Sequence, residues 1–219
     1  GALTFSGTSF DLNAGTRTLD IASGVAVTIS ALVSNGGLVV AGSGDLTLAS
    51  ANSYSSGTSL TGGRIRVGNN AALGTGSVTL GAGTTLSANG GTAMVLANSL
   101  VLDGDVTLGN ATQNGALTFS AGVNLGGSTR TVTAASAVTL AGVVSNGGLT
   151  KTGNGTLTLS GANTYADGTT VSAGTLQLGA DNRLLDAGAL SLASNTTFNL
   201  GGFAETVGAV TSDNATITN

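Results

Sequence analysis

The chain has 219 residues, of which only six are Lys or Arg and ten are Asp or Glu, for a formal charge of -4; charged residues make up 7%, against roughly 25% in ordinary soluble domains. With 41% hydrophobic residues it carries too much apolar side chain to remain disordered, yet no run approaches the ~20 apolar residues of a membrane-spanning helix. Zero cysteine and zero histidine remove disulfides, thiolates and the commonest general base and metal ligand, and six scattered cations form no cluster that would neutralise a nucleic-acid backbone.

Taken in chain order, the sequence reads as short segments in which apolar residues alternate with Thr, Ser or a charge: Ala-Leu-Thr-Phe at 2–5, Leu-Asp-Ile-Ala at 19–22, Val-Ala-Val-Thr-Ile at 25–29, Asp-Leu-Thr-Leu at 45–48, Arg-Ile-Arg-Val at 64–67, Ser-Val-Thr-Leu at 77–80, Ser-Leu-Val-Leu at 99–102 and Asp-Val-Thr-Leu at 105–108. Alternation with period two over four or five positions predicts a strand with one buried face. No segment shows a helical period. Gly, Asn, Asp and Ser separate the segments. Asn35, Gly36 and Gly37, and again Asn146, Gly147 and Gly148, are expected to supply positive φ at corners. The absence of proline suits a ladder in which every N–H is needed.

The series then repeats. GALTFS at 1–6 returns at 115–120, VSNGGL at 33–38 returns at 144–149, and over 33–68 the chain matches itself at an offset of 111 residues. The expectation is one continuous β-solenoid over 1–219, built of internal repeats 1–114 and 115–219. Aromatic residues are only 3%, unlike the mixed cores of sandwiches. Leu, Val and Ile at the inward positions suit stacked coils in a parallel β-helix. A strand about every nine residues and three strands per coil predict about 8 coils of roughly 27 residues.

Residues 149–179, LTKTGNGTLTLSGANTYADGTTVSAGTLQLG, resemble the autotransporter-associated β-strand repeat, the passenger-associated repeat of Gram-negative surface proteins. A weaker copy occupies 38–68, and AALGTGSVTLGAGTTL at 71–86 resembles the segment that often follows it. The resemblance implies a right-handed parallel β-helix, secretion to the cell surface or beyond, a role as stalk, scaffold or adhesin, and no catalytic residues.

The residues that invite chemistry are few. Asp103 and Asp105 flank Gly104 and are expected to form a solvated turn rather than a carboxylate pair. Gly42-Ser43-Gly44-Asp45, which becomes Gly153-Asn154-Gly155-Thr156 in the second copy, lacks the carboxylate on every coil that a calcium roll needs. With no helix after it, it is no phosphate loop either. Arg64 and Arg66 share one outward face. Tyr54 and Tyr165 occupy equivalent positions, which points to corner packing. Thr156 and Thr158 exemplify outward pairs expected to lose register between coils, which counts against an ice-binding array. The resulting expectation is a non-enzymatic, extracellular structural protein with no catalytic, cofactor-binding or metal residues and no cofactor. No nucleic acid and no membrane insertion of this segment are expected. Because NATITN at 214–219 followed by another GALTFS would re-create the junction at Asn114 and Gly115, the expected partner is the chain itself, stacked head to tail or continued covalently, with glycans or cell surfaces as the alternative.

Overall fold

The computed structural model describes residues 1–219. All regular elements are strands, and every strand pairing is parallel. The first face of the solenoid starts with Ala2–Phe5, the second with Ser9–Asp11 and the third with Thr16–Ile21. The chain then returns to the first face at Ala26–Ile29. On that face Leu3 pairs with Val27, then Leu46, Ile65, Leu86, Leu108 and Ala134 in turn. The ladder continues from Val132 through Lys151, Val171, Leu192 and Ser212. Successive rungs are therefore about 21 residues apart and the rod has about 10 turns, which at ~4.8 Å per rung gives a length of roughly 48 Å.

The expected 8 coils of 27 residues are thus corrected to more and smaller turns. Strands do recur about every nine residues, but some sides of the coil have no regular strand. Residues 52–54, 70–73 and 163–165 complete the second or third face as irregular segments, bonded to the next coil through side chains as much as through the backbone. Counting strands therefore overestimates the residues per turn.

The interior is one cluster of 46 buried hydrophobic residues. Alternation puts Leu46 and Leu48, Ile65 and Val67, Leu157 and Leu159, and Leu176 and Leu178 inward at 0% exposure, where each stacks on its counterpart one rung away. Fully burying such a side chain contributes about 1.5–3 kcal/mol, so the aliphatic column is the principal stabilising feature.

The sequence repeat and the solenoid turn are out of phase. The first GALTFS begins the first face, whereas the second one, around Leu117–Phe119, lies on the second face, paired with Val138–Leu140 and Met94–Leu96. Likewise Asp45–Leu48 belongs to the first face and its repeat counterpart Thr156–Leu159 to the second. From Leu46 five rungs lead to the corner after Lys151, and one more side reaches Leu157. One repeat thus advances five turns and a third, and equivalent residues are displaced by one face around the axis.

Corner geometry follows the expectation in part. Asn35, Gly36, Asn146 and Gly147 take positive φ of 52°, 111°, 64° and 138°. Gly37 and Gly148 do not; they are required by close approach instead, because a Cβ on Gly37 would lie 3.2 Å from Ser56 Cβ and one on Gly148 would lie 2.6 Å from Thr129 Oγ1. The outward pair Thr156 and Thr158 loses register as expected, because Thr158 faces Gln177 and then Asn199, yet single threonine columns persist. Thr156, Thr175, Thr197 and Thr216 stack in register on the second face, and Thr131, Thr150, Thr170, Ser191 and Thr211 do so on the first. In a strictly parallel ladder a β-branched residue at one outward position favours the same choice on the next rung.

Candidate functional site

The most elaborated constellation is the corner that occurs once in each repeat. Asn52, 5% exposed, accepts the Val33 N–H through Oδ1 at 2.8 Å and donates from Nδ2 to Ala72 O at 2.6 Å. Asn163, 8% exposed, does the same toward Val144 N–H and Arg183 O, at 2.8 Å each. One amide therefore spans the coils above and below its own, where a buried main-chain group would otherwise lack a partner. Two residues on, the hydroxyls of Tyr54 and Thr58 lie 2.7 Å apart, as do those of Tyr165 and Thr169, and Thr58 passes the bond on to Leu73 O at 3.2 Å. Burial raises the pKa of Tyr54 to about 12 and that of Tyr165 further, so both remain neutral hydrogen-bonding struts.

The glycines of the same motif make room for it. A Cβ on Gly44 would strike Ile21 Cγ2, and one on Gly155 would strike Ser136 O. Each motif copy spans five consecutive sides of the coil, so its own rungs stack: Leu46 on Ile65 in the first, Leu157 on Leu176 in the second.

Arg64 and Arg66 do point outward together. Arg66 donates to Asp45 Oδ2 at 2.7 Å and to Gln113 Oε1 at 2.8 Å, with Arg64 3.7 Å from the same carboxylate. The Nε atoms of both arginines and Ser87 Oγ have no partner in the protein. Each charged side chain here is a fifth to a third exposed, a setting in which an ion pair contributes ~0.2–1 kcal/mol. Asp45→Ala is accordingly expected to lower stability by less than about 1 kcal/mol in urea unfolding, and a larger loss would show a cooperative network. Asp103 and Asp105 are exposed. Asp105 accepts the Thr131 N–H at 2.8 Å, and no three His, Cys, Asp or Glu side chains come together anywhere. The surface has three pockets, lined mainly by Ser, Thr, Gly, Asn and Ala; Asp45 is the single titratable side chain among their linings.

Lys151 has no part in the sequence-based expectations. It replaces Val40 of the first repeat and faces inward, fully buried. Its ammonium donates to Thr152 O at 3.0 Å, Gly153 O at 2.6 Å and Ala173 O at 2.8 Å, one acceptor for each proton. The alternation Leu149, Thr150, Lys151, Thr152 already placed it inward. Burial lowers its pKa from 10.5 to about 8. The unfolded chain therefore binds more protons than the folded one between those values, so its contribution to stability rises as pH increases from 8 toward 10.5. The two tyrosines act in the opposite direction above pH 10, where the unfolded phenols ionise first. Urea midpoints between pH 8 and 9.5 are expected to rise for this chain and stay flat in Lys151→Val; an equal slope in both would exclude Lys151 as the source.

Fold and site together define an extended parallel β-solenoid whose repeated constellation is a structural corner clamp. Residues 38–67 and 149–178 match the passenger-associated-transport-repeat family. The chain thus carries two segments that match this repeat, and that repeat family implies a secreted or surface location. No curated protein and no solved structure matches the chain.

Proposed function

We propose that this chain is a rigid segment of an extracellular, cell-surface stalk or filament, whose function is mechanical. The observation that carries the reading is one cluster of 46 buried, mainly aliphatic residues that runs along the axis from Leu12 to Phe198, clamped at equivalent corners by Asn52 with Tyr54 and Asn163 with Tyr165. The chain performs no catalysis and holds no cofactor in this reading, which is supported by dispersed carboxylates and by pockets poor in titratable groups. Its partner is more of the same ladder, continued covalently or stacked, since every rung presents the same parallel register to the next. A right-handed winding accords with the strong preference of parallel crossover connections for that hand. The adhesin alternative draws less support, because the outward, half-buried arginine pair is already engaged by Asp45 and Gln113.

Electron microscopy of the material from its producing cells, with a denaturing gel of the same sample, tests the proposal. Rods are expected, and the gel separates covalent continuation from stacked subunits. Compact particles no longer than they are wide would refute the mechanical reading.

A further inference from the structure

The sequence contains four Asn-x-Ser/Thr triplets: Asn110-Ala-Thr112, Asn154-Gly-Thr156, Asn195-Thr-Thr197 and Asn214-Ala-Thr216. All four fall on one edge of the rod, where the chain leaves the first face for the second. Asn110 follows Leu108 of the first face and precedes Leu117 of the second. Asn154 lies between Lys151 and Leu157, Asn195 between Leu192 and Phe198, and Asn214 between Ser212 and Ile217. The edge is shared although the residues are not equivalents in the 111-residue repeat: the counterpart of Asn154 is Ser43, on a different edge. Asn195 and Asn214 sit on adjacent rungs, joined by a backbone hydrogen bond of 3.3 Å.

Turn chemistry alone does not explain the pattern. Like Asn195 and Asn214, Asn13, Asn35, Asn146 and Asn182 take positive φ at corners, but on the other two edges, and the residue two positions on is Gly15, Gly37, Gly148 or Leu184, never a hydroxyl. The side-chain nitrogens of the triplets are accessible as well. Those of Asn35, Asn52, Asn98, Asn146 and Asn163 are held in hydrogen bonds, whereas Nδ2 of Asn110, Asn154, Asn195 and Asn214, like that of Asn13 and Asn182, donates to no protein atom and is available; Asn154, Asn195 and Asn214 are exposed and Asn110 half-buried. At Asn110 the Thr112 hydroxyl donates to the amide oxygen at 2.8 Å, leaving Nδ2 directed away from that bond.

We propose that Asn110, Asn154, Asn195 and Asn214 are acceptors for N-linked glycosylation, forming a row of sugars along one edge of the rod. The co-substrate is a diphosphate-activated sugar, presented by a glycosyltransferase of the producing cell. Nδ2 attacks the anomeric carbon and the N–C1 bond forms as the C1–O bond breaks. The bonding pair leaves with the diphosphate, and the transferase takes up the amide proton. With 7% charged residues the surface has little electrostatic protection against association, and an edge of bulky, hydrated sugars supplies a steric barrier in its place without covering the three faces.

Intact-mass measurement and peptide mapping of the chain from its producing bacterium test this. Sugar is expected on peptides containing these asparagines. A single monosaccharide would identify a nucleotide-activated donor, and an oligosaccharide transferred whole a lipid-linked one. Thr112→Ala, Thr156→Ala, Thr197→Ala and Thr216→Ala should each abolish the adduct at their own site, while the corresponding Ser variants retain it, which separates recognition of the triplet from an effect on folding. Unmodified asparagines, sugar found on Ser or Thr alone, or an adduct that survives the Ala variants would overturn the proposal.

Discussion

Asn163→Asp is expected to destabilise the solenoid by about 3 kcal/mol or more at neutral pH, and to regain most of that loss in acid. One carboxylate oxygen still accepts the Val144 N–H, but the other faces Arg183 O, to which Asn163 donates at 2.8 Å. A buried anion opposed to a carbonyl is unfavourable unless it takes up a proton, so the folded-state pKa of the new carboxyl rises above the ordinary value of ~3.9. For an acid with a raised folded pKa, the loss develops as pH climbs from the unfolded toward the folded pKa and is absent below both. A protonated Asp donates to Arg183 O as the amide did. Urea titrations of Asn163→Asp at pH 7 and near pH 4 should therefore differ strongly. Asn163→Ala, which leaves two main-chain groups unpaired, should lose ~2–5 kcal/mol with no such pH dependence. Asn52→Asp is expected to behave like Asn163→Asp because its partners are equivalent; a pH-independent loss in both would show that the bridging bonds are not what the asparagines contribute.

Leu157→Lys is expected to break the rod into independently melting parts. Leu157 is 0% exposed and stacks between Val138 and Leu176. A buried ammonium there would lack the carbonyl set that satisfies Lys151, and an unpaired buried charge costs several kcal/mol. In a solenoid, stability is a sum of local terms and contacts between neighbouring coils, so a defect at one rung uncouples the coils before it from those after it. Thermal unfolding should resolve into two transitions, and limited proteolysis should cut near 150–160. One sharp transition at an unchanged temperature would mean that the core tolerates charge at any inward position. The comparison with Lys151 isolates the physical cause, since both lysines are inward and only one meets three acceptors.

Composition and alternation were enough to read the fold class. Leu46, Leu48, Ile65 and Val67 alternate with Thr47, Arg64 and Arg66, and burial follows that alternation residue by residue. The corner role of Tyr54 and Tyr165 was legible from their recurrence, and the buried Lys151 was present in the pattern as a cation at an inward position of the alternation. The bridging function of Asn52 and Asn163 was not legible, because a turn asparagine and a coil-spanning asparagine look the same until the neighbouring coil is placed beside them.

By itself the sequence determined that this chain is a parallel, all-β solenoid with an aliphatic interior, two transport-repeat motifs and no concentration of reactive side chains. Those properties reside in local alternation and in residue chemistry. Only the tertiary structure decided the turn length, the stacking of the outward threonines and the one-face displacement between repeats. It also decided the gathering of four Asn-x-Thr triplets on one edge. Each of these depends on which residue about 21 positions away becomes the neighbour across the ladder, and backbone hydrogen bonding between coils sets that register whatever the period of the sequence repeat.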